Sequence, residues 1–224
     1  MTVWSVRQPH LSGIGQDTLE LALAETTHLS NDRTIGILEA ACRVIVREGA
    51  HGLRMASVAG EAKVSKALVH YYFATRQELL RHAFAFSEER WHTAVNAELA
   101  VVSTGAARVE RMLLVGVEPD LAFSEQRALW NEVWSSLRSD DALRPLVERS
   151  YRVWLGRVVD LIEEGQADGS IPAAVESTPA GWRLAAVADG LDSLLYLGLV
   201  DREQARELMR GAITRELAPI VDPA

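Results

Sequence analysis

Lys63 and Lys66 are the only lysines in a chain of 224 residues, and they stand three positions apart in KVSKALVHYYF. An ammonium group is a compact, strongly hydrated charge with three donors, suited to a phosphate oxygen or to O6 and N7 of guanine. Arg54 and Arg76 flank the stretch with guanidinium groups, while Ser65 and Tyr71 add hydroxyl donors. Ala67 and Val69 are apolar side chains that can touch a thymine methyl, and His70 stands beside them. The chemistry this set can do is recognition of a polyanion, not bond making or breaking.

The charge distribution agrees, although the whole-chain balance hides it. Net charge is −8 and the isoelectric point about 5.3, which taken alone argues against a nucleic-acid partner. Residues 33 to 82, however, hold eight basic residues against four glutamates, and the rest of the chain holds 15 basic and 27 acidic residues. A basic module joined to an acidic body is the expected organisation. Cys42, the one cysteine, has no intramolecular partner for a disulfide, which points to a reducing cytoplasm. No basic stretch followed by an apolar run opens the chain, so no signal peptide is expected. The longest apolar run, LAAVADGLDSLLYLGLV (184 to 200), contains Asp189 and Asp192 and falls short of the roughly 20 uncharged residues a membrane span needs. A soluble, cytoplasmic protein is expected.

Helical periodicity supplies the elements that must position the basic stretch. Residues 1 to 30 mix Gly, Pro, Ser and Thr around DTLELALAE and read as a tail, partly ordered at best. From Arg33, apolar residues recur at steps of three and four (Ile37, Leu38, Ala41, Val44, Ile45) until GAHG turns the chain. MASVAGEA and KALVHYY then form two short helices with a tight turn between them. Thr75 is placed to cap a long helix from Arg76 to about Ala100, with Leu79, Leu80, Ala83, Phe84 and Phe86 on its buried side. Beyond Gly105 the chain stays helical: Pro119 marks a break, SEQRALWNEVWSSLR carries Trp130, Val133, Trp134 and Leu137 on one stripe, and Pro145 opens a helix through Glu164. Thr178 and Pro179 read as cap and first residue of a helix to Val200. Asp201 with Gln204 reads as a capping box for the last helix. No strand signal occurs, so the expected fold class is all-α.

Two short helices across a tight turn, the second basic and aromatic, are a helix-turn-helix candidate, whose second helix lies in the DNA major groove. RTIGILEAACRVIVREGAHGLRMASVAGEAKVSKALVHYYFATRQELL resembles the DNA-binding domain of TetR-family transcriptional regulators across nearly its whole length. The family's ILEAA helix, its IAxxAGVS turn, its YYF helix end and the start of its fourth helix read here as ILEAA, VAGEAKVS, HYYF and TRQELL. LWNEVWSSLRSDDALRPLVERSYRVWLGRVVDLIEEGQADGSI and LAAVADGLDSLLY look most like the betaine-inhibitor-type branch of that family. The resemblance implies an N-terminal three-helix reader over residues 31–91, with its helix-turn-helix at about 54–73. Residues 92–224 would then be a helical effector-binding and dimerisation domain. It also implies a homodimeric repressor, released from a near-palindromic operator in double-stranded DNA by a small apolar or amphipathic molecule.

On that resemblance, Arg54, Lys63, Ser65, Tyr71 and Arg76 fall where the family contacts phosphate. Lys66, Ala67, Val69 and His70 fall on the early turns of the reading helix, within reach of base edges, while Leu68 and Tyr72 are expected to pack inward with Phe73. The sequence departs from the family at two positions. Lys63 stands where a glycine is usual, because that backbone tends to need φ > 0, and Arg54 replaces the threonine that commonly caps the helix.

The remaining candidates lie in the C-terminal body. Phe123, Trp130, Trp134, Tyr151, Trp154 and Trp182 could line an apolar cavity, with Arg152, Arg157 and Asp189 as polar anchors. Against this stands ordinary core packing and inter-helix ion pairing. Leu191 and Leu195 on one helix, and Leu208, Met209, Ala212 and Ile213 on the next, form the expected dimer seam. No histidine pair has ligand spacing (only Glu88 and His92 fall four apart), so no metal is expected. Neither a nucleophile elbow nor a Gly-rich phosphate loop occurs, so no cofactor and no catalysis are expected. A helical enzyme would need a polar cluster in the C-terminal region, and a helical protein-interaction module would leave the lysine–tyrosine helix without a task.

Overall fold

A computed structural model of the chain describes residues 32–115, 121–137 and 143–218, the side chains of 121–125 excepted. The expected tail over residues 1–30, the break at Pro119 and the side chain of Phe123 lie outside the described residues. Among these, helices follow one another as α1 (Asp32–Glu48), α2 (Met55–Glu61), α3 (Lys66–Tyr72), α4 (Arg76–Ala100), α5 (Gly105–Leu114), α6 (Leu121–Ser136), α7 (Arg144–Asp168), α8 (Ser177–Tyr196) and α9 (Arg202–Leu217). No strand occurs among the described residues, and the architecture is all-α.

Local chemistry sets most of the boundaries. Gly49, at φ 77°, ends α1 and feeds a short 3-10 turn, Ala50–Gly52. A Cβ there would meet Glu132 Oε2 of α6 at 3.1 Å, the end of a flexible side chain, so it is the positive φ that favours glycine. Thr75 Oγ1 accepts from the Glu78 amide at 3.1 Å, and Glu78 Oε2 accepts from the Ala74 amide at 2.8 Å, so the α4 entrance is closed on both sides. Asp201 and Gln204 form the expected box reciprocally at 2.9 Å each. The α7 helix runs past Glu164 to Asp168 and stops at left-handed Gly169. The α8 helix begins at Ser177, one residue before the expected cap, and no side chain caps it.

Two apolar cores share α4. The first gathers Ile37, Leu38, Val44 and Ile45 of α1 with Val58, Val69, Phe73, Leu79, Leu80 and Phe84, and it continues into Leu129 and Val133 of α6 and Val147 of α7. The second joins Val95 and Leu99 of α4 to α5, α7, α8 and α9. Side chains of this kind each stabilise by about 1.5–3 kcal/mol on burial, and the division between the two sets falls inside α4. The boundary expected at residue 91 falls inside one continuous helix of 25 residues.

The expected dimer seam is corrected here. Leu191, Met209 and Ile213 are buried within one chain, and Leu195 and Ala212 pack half-buried against the same core. The partner that periodicity could not reveal is α5, whose Val109, Met112 and Leu113 belong to the same cluster. Only Leu208 of the six faces outward, 51% exposed.

Candidate nucleic-acid interface and ligand cavity

The turn between α2 and α3 explains the position of Lys63. Val64 N–H donates to Ala59 O at 2.9 Å and Lys63 N–H to Gly60 O at 3.2 Å, which closes α2 as a Schellman motif. That motif puts the residue before its last in the left-handed region. Lys63 occupies it at φ 56°, the one non-glycine residue with positive φ among those described. Ser65 then starts α3, its Oγ accepting from the Leu68 amide at 3.1 Å. A hydroxyl that accepts there still has a hydrogen to donate outward.

Exposure sorts the candidate contacts. Lys63, Ser65, Lys66, Ala67, His70 and Tyr71 all face solvent, Tyr71 at 78% and edge-on to Tyr72. Arg54 also faces solvent and, as the sequence implied, makes no side-chain cap on α2. Arg54, Lys63 and Lys66 form no ion pair among the described residues. Arg43 and Arg47 nearby are committed to Glu61 and Glu48 at 2.9 Å. Within the helix-turn-helix the cations without an ion pair thus stand before α2, in the turn and at the start of α3.

Two of the expected contacts are corrected. Val69 is wholly buried in the first core and reaches no base, whereas Leu68, expected inside, is half-exposed. In the seven-residue α3 only Val69 is buried, and Phe73, the residue that follows the helix four positions on, is buried with it. Arg76 is turned inward: its Nε donates to Leu53 O at 2.9 Å and its Nη2 to Ala50 O, so it ties the α1–α2 connection to the start of α4. These carbonyls belong to the first residue of the 3-10 turn and to the residue that follows it.

The second feature is a cavity of about 440 Å³ in the C-terminal body. Four of the aromatic candidates line it: Trp130, Trp134, Tyr151 and Trp154. Their rings follow one another at centroid distances of 6.1, 6.3 and 5.5 Å, and Phe84 of α4 continues the series at 5.4 Å from Trp130. Trp91 of α4 adds a further wall. Trp182 does not belong; it lies on the outer face of α8, 54% exposed.

The polar complement of the cavity is mostly acidic. Asp189 accepts from the Tyr151 hydroxyl at 2.5 Å. Asp192 accepts from Arg127 Nε and from Asn131 Nδ2, each at 3.2 Å. Glu88, from α4, accepts from Gln126 Nε2 at 2.5 Å and from the Ser150 hydroxyl. Burial pushes the Glu88 carboxyl upward, and the two hydrogen bonds oppose that only in part. Asp189 is raised by partial burial and by the charge of Asp192, with Tyr151 acting against both. Of the expected anchors only Asp189 lines the cavity; Arg157 pairs with Glu164 at 2.8 Å, and Arg152 faces solvent. Glu88 escaped notice as a lining residue because α4 belongs by sequence pattern to the DNA-binding half. Its one visible signal was a carboxylate on the cavity-facing stripe of a long helix. Among the described residues, no three potential metal ligands come together.

Comparison with known proteins follows the same division. Residues 37–83 match the family model for bacterial regulatory proteins of the tetR family, and residues 105–218 match that for the C-terminal domain of BetI-type transcriptional repressors. The HTH-type transcriptional regulator BetI of Escherichia coli (strain K12) is 26% identical over 185 residues, 81% of this chain and 92% of that protein. Its namesake from Rhizobium meliloti is 27% identical over 115 residues, which is 51% of this chain and spans 57% of that protein's own length. A TetR-family regulator structure from Rhodococcus sp. superposes with a TM-score of 0.75 at 28% identity, covering 84% of this chain and all of that one. A transcriptional regulator from Saccharomonospora viridis, solved in complex with choline, gives a TM-score of 0.72 at 25% identity over 81% of this chain and 95% of that one.

Proposed function

We propose, because this chain belongs to the TetR family of transcriptional regulators, that it is a homodimeric repressor released from its operator by an organic cation. The observation that carries the choice of effector is the cavity itself. Trp91, Trp130, Trp134, Tyr151 and Trp154 line it, while its ionisable side chains are three acids against one guanidinium. Aromatic faces attract a weakly hydrated cation through the ring quadrupole, by about 2 kcal/mol or more where water is excluded. Quaternary ammonium groups are the usual ligands of such cages, and choline in the Saccharomonospora relative is one. An apolar or amphipathic body is accommodated too, since 440 Å³ lies within the range of small-molecule sites. The sequence-based expectation of an apolar or amphipathic effector is thereby narrowed to one with a positive head.

On the DNA side, α3 is the reading helix. Lys66, Ala67 and His70 face base edges, while Arg54, Lys63, Ser65 and Tyr71 hold phosphates. Two such helices in a dimer would lie about 34–36 Å apart, one turn of DNA, which calls for a near-palindromic operator. The dimer face is the outer side of α8 and α9, where Trp182, Ala186 and Gly190 follow at steps of four and Leu208 lies exposed on the next helix. The protein works in the cytoplasm and performs no catalysis. Fluorescence anisotropy of the protein on its own upstream DNA, titrated with choline and tetramethylammonium, tests this. Release by such cations, with quenching of tryptophan emission, is expected. Specific DNA binding unaffected by cations but reversed by fatty acids or other anions would overturn the choice of effector.

A further inference from the structure

We infer that Glu88 is a proton-linked anchor of the cavity: it stands as a neutral acid while the cavity is empty and gives its proton to solvent when an organic cation enters. Effector binding would then tighten as pH rises. The inference rests on the reading of the cavity as a cation site.

Geometry carries it. Glu88 lies in the cavity wall beside Trp91, and both hydrogen bonds it accepts come from uncharged donors, Gln126 and Ser150. No basic group pairs with it among the described residues. The chargeable groups around it, helix by helix, either carry the wrong sign or are engaged elsewhere. On α4 itself His92 is one turn away, and its own burial disfavours the charged form. The α5 and α9 walls offer only apolar side chains, such as Met112 and Met209. Arg127 of α6 is held by Asp192, and Tyr151 of α7 donates its hydroxyl to Asp189. Asp189 and Asp192 of α8 are both acidic. A further negative charge in a small, largely apolar space is disfavoured by desolvation, and burial holds this carboxyl above its ordinary range against the pull of its two hydrogen bonds.

An entering cation offsets that cost. Its charge replaces the proton on Glu88, so the carboxyl ionises and one proton at most passes to solvent for each cation bound. Linkage then sets the sign. Affinity must rise with pH, by up to tenfold per unit, until the Glu88 of the empty cavity is itself ionised, and must level off above that point.

The test is calorimetric titration of the full-length protein with choline and with tetramethylammonium between about pH 5.5 and 8.5, in pairs of buffers with different ionisation enthalpies. Wild type should release protons and gain affinity with pH, whereas Glu88→Gln should bind more weakly, with one affinity throughout and no proton exchange. Cation binding that is independent of pH in wild type, or an unchanged pH slope in Glu88→Gln, would overturn the inference while leaving the cation site intact. If neither cation binds either protein, the cation reading itself fails and the inference with it. Carbon-13 NMR of the Glu88 carboxyl in the empty wild-type protein removes any dependence on the variant's folding: titration in the ordinary carboxylate range would refute the neutral acid directly.

Discussion

Lys63 and Lys66 share a chemistry and differ in position, and position separates their roles. Lys63 sits at the left-handed end of a Schellman motif, a conformation that costs a side chain about 1–2 kcal/mol relative to right-handed backbone. Lys63→Gly should therefore raise thermal stability by about 1 kcal/mol. It should also weaken operator and random DNA alike and reduce the salt slope of binding by about one. Lys66 stands on the first turn of the reading helix with its side chain exposed. Lys66→Ala should cost about 1–3 kcal/mol on the operator and less on random DNA, relaxing preference at one position of each half-site. Binding titrations of both variants on both DNAs at several salt concentrations separate the roles; equal ratios of loss would make Lys66 one more phosphate clamp. Val69, wholly buried two residues before Tyr71, shows what one sequence could not decide. Both Leu68 and Val69 are apolar and adjacent, and only the contact with α2 selects which one turns inward.

At the scale of elements, α6 joins the two functions. Its Leu129 and Val133 are buried in the core of the DNA-binding half, Glu132 lies against Gly49 at the end of α1, and Trp130 and Trp134 form the cavity wall. A ligand that moves α6 thus acts on α1 and α4 through packed contacts. Effector and DNA can oppose each other only by preferring different positions of such an element, with coupling typically of 1–3 kcal/mol. The two tryptophans should then respond differently to removal. Trp134 is half-exposed and its ring contacts are with cavity aromatics, so Trp134→Ala should blunt release by effector and leave operator affinity and melting temperature near wild type. Trp130 also stacks on Phe84 of the first core, and Trp130→Ala should lower stability by about 3 kcal/mol or more in addition. Melting curves and anisotropy release assays on the two variants check this; a Trp134→Ala protein released normally by cations would move the effector out of this wall.

For the whole molecule, the question is which surface a second copy covers. Ile213 and Met209 fill the interior of one chain, so Ile213→Asp should unfold the C-terminal body instead of yielding a folded monomer. Leu208 lies outside on the same helix, 51% exposed, and Leu208→Asp should give folded monomers that bind the operator poorly. Sedimentation combined with circular dichroism distinguishes the outcomes; full dimerisation of Leu208→Asp would shift the interface elsewhere.

The sequence alone was sufficient wherever the determining interaction is local. Helix starts at Thr75 and Asp201, the strained turn at Lys63 and the basic cluster around it all depend on residues within about five positions, and all were legible as patterns of type and spacing. So was the family, because the helix-turn-helix carries its marks in one continuous segment. Contacts between distant segments were not legible. Periodicity marks an apolar face and is silent about its partner, so the interior face of α9, covered by α5 of the same chain, read like a seam for another copy. An arginine beside a DNA-binding turn can face a phosphate or a carbonyl, and only the packing of α4 against the α1–α2 connection turned Arg76 inward. The cavity belongs to the same class: Glu88, Trp130, Tyr151 and Asp189 come from four helices and span more than a hundred residues of sequence. Their convergence, and with it the burial that makes Glu88 an unusual acid, exists only once those helices have packed.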